Sequence, residues 1–350
     1  MTQSNPRAWG ETLGSGVLRS SPEDFVVIEE LDFEPEGEGE HVFLYLQKRL
    51  LNTSELVQRV SRLSGIAQRD IGYAGMKDRR ALTRQWLSVR MAGQPEPDWT
   101  ALQDEQVEVL AVERHRKKLK RGVHRGNRFT LTLRELTADR DVLEPRLQQI
   151  AQSGVPNYFG EQRFGRGGST LKQANHWIGE GGRKIARQRR SLYFSALRSE
   201  CFNALLAQRV LSGDWWQPEA GDACVLAGSR SLFRCEQLDD DISARAASGD
   251  LHPALPLWGR GKPIASEQQH TDQAKALESK QQTCEFLEAQ GLELAYRPAR
   301  VIPHDFCWQF CDDGRLVLEF SLGAGSYATA VLAELVNYTE EEQGSGSGSE

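Results

Sequence analysis

Long apolar runs are missing from this chain of 350 residues. No segment approaches the ~18 consecutive apolar residues of a membrane-spanning helix. Residues 1–10 are polar and lack the apolar core of a secretory leader, so the expected location is the cytoplasm. The first 200 residues hold no cysteine. The six that follow (Cys201, Cys224, Cys235, Cys284, Cys307, Cys311) form no Cys-x-x-Cys pair. That pattern excludes a disulfide framework and the paired spacing of a structural zinc site. His304, Cys307 and Cys311 lie near one another but lack ligand spacing, so no metal is expected. Gly165-x-Gly167-Gly168 lacks the Lys-Ser/Thr ending of a phosphate-binding loop, so no nucleotide is expected either. Positive charge also looks scarce: 43 Lys plus Arg stand against 49 Asp plus Glu, a net charge of −6. At face value that argues against a nucleic-acid partner.

The arrangement of the charge reverses this reading. Residues 1–40 carry a net −8 and residues 334–350 a net −5, which leaves residues 41–333 at +7. A polyanion binds where cations cluster, whatever the overall sum. The hydrophobic fraction of 39% is ample for a buried core.

Strands dominate the first part. Pro22–Glu30 reads as a strand with Phe25 and Val27 on one face. His41–Lys48 alternates likewise, and the Gly-containing loop between the two predicts an antiparallel hairpin. Asn52-Thr53-Ser54 caps a helix whose Leu56, Val57, Val60 and Leu63 keep the 3.6 period, with Gly65 to end it. Further strands fit Gln85–Val89, Gln106–Val112 and Phe129–Arg134. Helical segments follow at Ser191–Leu211 and Thr271–Gln290, then a strand at Leu316–Leu322 and a helix from about Tyr327 to Val336. The chain thus reads as a mixed sheet domain, a helical module and a return. Residues 344–349 are a Gly-Ser low-complexity tail.

Two segments carry chemistry. Arg114–Arg128 (RHRKKLKRGVHRGNR) holds Arg114, Arg116, Lys117, Lys118, Lys120, Arg121, Arg125 and Arg128 with no acid. So many like charges within 15 residues repel one another, and phosphate neutralisation would relieve that repulsion. Arg183, Lys184, Arg187, Arg189 and Arg190 form a second cluster. Helix-turn-helix, zinc-finger and RNA-recognition signatures are absent, so a basic groove that reads RNA shape fits best. The other segment, Tyr73-Ala74-Gly75-Met76-Lys77-Asp78-Arg79-Arg80, sets one carboxylate among three cations. Gly72 and Gly75 are expected there for conformations closed to other residues. Such a carboxylate suits a nucleophile or general base, and a salt-bridged surface turn is the plain alternative.

Five separated motifs add a further layer: Pro22-Glu23-Asp24-Phe25, Ala74–Asp78 followed by Thr83-Arg84-Gln85-Trp86, Gly126-Asn127-Arg128-Phe129-Thr130, Pro156-Asn157-Tyr158-Phe159-Gly160-Glu161-Gln162-Arg163-Phe164-Gly165, and Ala324-Gly325-Ser326-Tyr327-Ala328-Thr329. Together they resemble the TruD family of tRNA pseudouridine synthases, from about Arg19 to Asn337. The resemblance implies an α+β (mixed α/β) fold: a catalytic domain with a central, mostly antiparallel sheet, interrupted by a TRUD-type insertion. The expected parts are 1–154 (catalytic, first part), 155–301 (insertion), 302–343 (catalytic, second part) and the tail 344–350. The implied activity isomerises a D-arm uridine of tRNA, at position 13, to pseudouridine without a cofactor. The catalytic Asp falls on Asp78, and the pocket residues fall on Phe25, Asn127 and the aromatic Tyr327, where relatives often have Phe.

Pseudouridylation cuts an N-glycosidic bond, turns the base and rejoins it through carbon, with no net oxidation. Asp78 could attack C1′ or remove the C2′ proton, and the sequence leaves both routes open. Phe25 and Phe129 are candidates to flank a flipped-out uracil, each with a core role as its alternative. Asn127 matches a uracil edge. Lys77 and Arg19 are expected beside Asp78 or at a phosphate. The expected partner is tRNA, with no membrane and no protein partner, so a monomer. A non-catalytic RNA-binding protein is the rival; the Lys77-Asp78 turn with Asn127 and Phe129 favours an enzyme.

Overall fold

The computed structural model describes residues 5–229 and 231–340; the Gly-Ser tail lies outside the described residues. In chain order, β1 (Ser15–Leu18) leads through a tight turn at Pro22–Asp24 to β2 (Phe25–Leu31) and β3 (His41–Lys48). Then come α1 (Thr53–Ser64), β4 (Gly72–Tyr73), β5 (Leu82–Arg90), β6 (Val107–His115), β7 (His124–Arg134) and α2 (Arg140–Ser153). The middle of the chain forms β8 (Val155–Pro156), α3 (Ser169–Gly179), α4 (Arg187–Ser212), β9 (Ala223–Leu226), β10 (Leu232–Arg234), α5 (Asp240–Ser248), β11 (Leu251–Leu257), α6 (Glu267–Ala276), α7 (Gln281–Ala289), β12 (Ala295–Pro298) and β13 (Arg300–Val301). Last are β14 (His304–Phe310), β15 (Leu316–Gly323), α8 (Ala328–Ala333) and β16 (Asn337–Glu340). The fold class is α+β.

Two units are distinguishable. Among the described residues, the sheet unit comprises 13–143, 303–325 and 336–340; the helical unit comprises 5–12, 144–302 and 326–335.

The sheet unit is built on one large sheet with strand order β14-β15-β7-β2-β5-β3-β6, with β4 on β5, β1 on β7 and β16 on β1. Most pairings are antiparallel; β1–β16 and β2–β5 are parallel. The hairpin expected between β2 and β3 does not form, because β5 lies between them and pairs with both. β3 pairs with β5 on one edge and with β6 on the other, which leaves no edge for β2. Val42, Leu44 and Leu46 of β3 pack with Leu56, Val57 and Val60 of α1. Asn52 and Glu55 close a capping box at the start of α1, and Gly65, at φ +70°, ends it in the left-handed conformation.

Pro22–Asp24 is a 3-10 turn rather than the start of the strand. The buried Asp24 carboxylate accepts from the Ser21 amide and, in a fork, from Arg134 Nε and Nη2 at 2.8–3.1 Å. The Pro-Glu-Asp-Phe motif is therefore a folding device up to Asp24.

The helical unit has its own core around α3, α4 and α7, with Trp177, Leu197, Phe202 and Leu287 buried in it. Helix α4 starts four residues earlier than its apolar stripe predicts, at Arg187, and stops at Gly213, whose φ of +82° closes it. The helix expected over Thr271–Gln290 is two, α6 and α7, broken around Leu277–Lys280 where Leu277 leaves helical geometry and buries its side chain.

Candidate active site

The sheet unit brings together Arg19, Phe25, Lys77, Asp78, Asn127 and Phe129. Phe25, Val27 and Glu29 share the buried face of β2, and their cross-strand partners on β7 are Leu131, Phe129 and Asn127. The face is apolar at its Phe25 end and polar at its Glu29 end. Phe25 and Phe129 meet edge-to-face with centroids 6.3 Å apart, and Phe129 packs on Phe320 of β15. Both phenylalanines are buried, so the core role anticipated for Phe129 is one it performs.

The turn that carries Asp78 is fixed by its backbone. The Ala74 carbonyl accepts from the Gly122 amide at 2.9 Å. The Lys77 amide donates to Thr53 Oγ1 at 2.9 Å, and that hydroxyl donates to Gln85 Oε1. Lys48, fully buried at the end of β3, donates from Nζ to the Asp78 carbonyl at 2.7 Å. Burial pushes its ammonium down to about 8, against the opposing pull of the Asp78 carboxylate. Gly72 and Gly75 do not take left-handed backbones. Gly72 is required for a different reason: a Cβ there would lie 2.3 Å from the Leu119 carbonyl and 2.4 Å from Ser88 Oγ. At Gly75 a Cβ would make only ordinary contact, 3.6 Å from the His124 ring.

Neighbouring side chains of this turn go separate ways. Asp78 Oδ1 accepts from the Arg80 amide at 3.0 Å, and Oδ2 faces Arg19 Nη2 at 2.9 Å. The Asp78 side chain keeps 33% of its surface exposed. Arg19 is buried, reaches Glu340 Oε1 at 2.9 Å with its other nitrogen, and lies 4.0 Å above the Phe25 ring. Its φ of +62° is a strained value for a residue with a Cβ. The two carboxylates and the ring that hold its guanidinium over-determine that conformation. Lys77 turns the opposite way. Its Nζ lies 3.0 Å from Glu29 Oε2, whose side chain is fully buried, and donates to Asn127 Oδ1 at 2.5 Å. His124 stands nearby, its imidazole held below its usual range by burial first and the Lys77 charge second.

Tyr327 belongs to the helical unit. Its hydroxyl accepts from Arg163 Nε at 2.8 Å, and its ring meets Phe159 edge-on. Gly160 is required beneath it, since a Cβ would lie 2.9 Å from Tyr327 Cδ1 and 2.8 Å from Thr329 Oγ1. The Asn157–Gly165 and Ser326–Thr329 motifs thus pack on each other. Half-buried Arg297 lies 4.1 Å above Phe159, its guanidinium pushed down to about 9 by desolvation. Tyr327→Phe is expected to cost about 0.5–1.5 kcal/mol of stability, the net worth of one hydrogen bond, with turnover unchanged. Urea unfolding and a rate measurement on the same preparation check it.

The basic segment divides. Arg114 pairs with Glu96, and Arg116 with Glu38 and, at 3.6 Å, Glu36. Lys118 donates to the Arg69 carbonyl at 2.9 Å. Arg121 bonds the Tyr73 hydroxyl at 2.6 Å and lies over that ring. Lys117, Lys120 and Arg125 are exposed and make no ion pair among the described residues. Arg183, Lys184, Arg187, Arg189 and Arg190 are all exposed, the last three in the first turn of α4. Cations there oppose the helix dipole.

Sequence reasoning missed Glu29, Lys48, Thr53 and Glu340 as members of this site. Two of them carried a signal. Glu29 continues the inward register of Phe25 and Val27, and Lys48 that of Val42, Leu44 and Leu46, so each is a charge on an apolar face.

Comparison with known proteins gives consistent findings. The family model described as tRNA pseudouridine synthase D (TruD) matches residues 8–181 and 169–335. A tRNA pseudouridine synthase D of Methylococcus capsulatus is 47% identical over 95% of this chain and 94% of that protein. One of Nitrosococcus oceani is 45% identical over 94% of this chain and 92% of that protein. A solved structure described as TruD, from Methanosarcina mazei, superposes with a TM-score of 0.69 at 23% identity over 95% of this chain and 96% of that one, and shares its fold.

Proposed function

This chain belongs to the TruD family of tRNA pseudouridine synthases, and on that premise we propose that it isomerises uridine 13 in the D-arm of tRNA, with Asp78 acting on the ribose of a flipped-out nucleotide. The observation that carries the reading is the Asp78 carboxylate, partly open to solvent and fixed by Arg19, the Arg80 amide and the Lys48 anchor. A carboxylate so held needs little reorganisation to meet C1′ or the C2′ proton. Either route stabilises positive charge developing on the sugar, as in glycoside chemistry. Neither route changes oxidation state, so no cofactor enters the balance.

Within the sheet unit, Phe25 and Phe129 supply aromatic surface for the extruded base, and Asn127 a polar contact to its edge. Arg19 already covers one face of Phe25, so a base stacks there only on the remaining surface or after the guanidinium shifts. No helix among the described residues is long and apolar enough to cross a membrane. The enzyme works in the cytoplasm as a monomer, with tRNA as its one partner. The catalytic domain is 1–154 and 302–343, and the insertion is 155–301. Most of that catalytic domain lies in the sheet unit, while 5–12, 144–154, 302 and 326–335 group with the helical unit.

Phosphate contact falls to the cations not already spent on protein acids. Replacing Lys117, Lys120 and Arg125 together by Ala is expected to flatten the dependence of log affinity on log salt by about 0.7–0.9 per lost phosphate contact. Arg116→Ala should change it little, because Glu36 and Glu38 already neutralise that side chain. Binding isotherms across a salt series measure both. The functional reading itself is tested by treating unmodified tRNA with the purified protein and locating pseudouridine by carbodiimide labelling and primer extension. A stop at position 13 is expected, and its absence overturns the reading.

A further inference from the structure

Lys77 and Glu29 form a buried ion pair that no step above uses, and it ends on Asn127 of β7. Lysine is a donor only, so Asn127 must offer Oδ1 to it, and the amide orientation is thereby decided. Nδ2 is left as the free end of the side chain, and among the described residues no partner takes it. Asn127 itself is half-buried, whereas Glu29 is buried and also accepts from the Trp86 amide at 3.2 Å. The order Glu29, Lys77, Asn127 therefore runs from the core outward and finishes in an unspent N–H donor.

Resting on the reading of the chain as a pseudouridine synthase, we infer that Glu29 and Lys77 are positioning residues that aim and polarise the Asn127 amide as the donor that stabilises the departing uracil. When the C1′–N1 bond breaks, its electron pair stays with uracil, and the charge spreads onto O2 and O4. An N–H aimed at either oxygen is worth more to this anion than to neutral uridine, which is the condition for speeding the step. An ammonium on the far side of the amide draws electron density toward Oδ1 and makes Nδ2–H a stronger donor. Uracil has a further property that fits a fixed donor. Rotation about the N3–C6 axis exchanges N1 with C5 and O2 with O4, so the oxygen that leaves the amide is replaced by another. The same N–H serves the base before and after it turns. The C5–C1′ bond then forms, as the Asp78–C1′ bond breaks on the covalent route or as Asp78 returns the C2′ proton on the glycal route; water takes the C5 proton and gives one to N1, so atoms and electrons balance without proton transfer by the amide. Glu29 balances the Lys77 charge, without which the ammonium would stand buried and uncompensated.

The double variant Glu29→Gln/Lys77→Met separates this role from a structural one, because it removes both buried charges together and keeps side-chain volume. Its melting temperature is expected to stay near that of the wild type and its tRNA Kd to be unchanged. Its single-turnover rate is expected to fall roughly 10²-fold, the scale of one lost donor to a developing anion. Asn127→Ala alone should lose a similar factor, and adding it to the double variant should cost little more, since both remove one donor. Lys77→Arg should recover much of the Lys77→Met loss. Wild-type rates in the folded double variant, or in Asn127→Ala, overturn the proposal. Losses that appear only in Kd overturn it as well. A wild-type protein that makes no pseudouridine at position 13 overturns the functional reading instead, and the proposal with it.

Discussion

Asp78→Asn is expected to lower the single-turnover rate by on the order of 10⁴-fold, the scale on which nucleophile and base deletions act, while tRNA affinity stays within about twofold. The substitution preserves shape. Asparagine can still accept the Arg80 amide bond made by Oδ1, and its backbone carbonyl still receives Lys48. Arg19 keeps Glu340 and the Phe25 ring. What disappears is the negative charge and with it the ability to bond C1′ or accept the C2′ proton. The cations proposed to meet phosphate lie elsewhere in sequence, so binding reports folding and docking separately from chemistry. A variant that retained a tenth or more of the wild-type rate would remove Asp78 from the catalytic role.

Lys48→Met should move stability and activity in opposite directions. In the folded protein the Lys48 ammonium is pushed from its ordinary 10.5 to about 8. Below pH 8 the group is protonated both folded and unfolded, so the cost of burying the charge, up to about 3 kcal/mol, is fully present. Between about 8 and 10.5 the folded state releases the proton while the unfolded state holds it, and stability from this group rises. Above 10.5 the cost is gone. Methionine removes the charge at every pH, so the difference in unfolding midpoint between variant and wild type should favour the variant at pH 7 and shrink as pH rises through this window. Activity should nevertheless fall about 10²-fold, because the Asp78 carbonyl loses its anchor and the carboxylate its fixed position. Denaturation midpoints on either side of pH 8, with rates on the same protein, check the pair of effects. A variant less stable at pH 7 would refute the assigned cost.

Much of this was legible in the chain, for identifiable reasons. Strand alternation located β2, β3, β7 and β15, and the helical period located α1 and α4. Pairing was not legible, because alternation says which face is buried and nothing about which strand lies alongside. β5 could slip between β2 and β3 without altering any pattern in either. The carboxylate among cations was visible at Asp78. Its partners were harder to find: Arg19 stands 59 positions away, Glu340 lies in the acidic stretch 334–350, and Glu29 enters only through the net −8 of residues 1–40. The better signal was position rather than charge total. An acid or base that continues an inward apolar register has no solvent to face and must have a buried partner.

β1 and β16 pair in parallel, Ser15–Leu18 against Asn337–Glu340, and the Arg19–Glu340 contact closes a separation of 321 residues. Loops of that span close late, since their entropy must be overcome before the contact repays it. During synthesis the arginine beside Asp78 leaves the ribosome 321 residues before its second carboxylate. The nascent chain therefore carries an incompletely braced site until β16 is added.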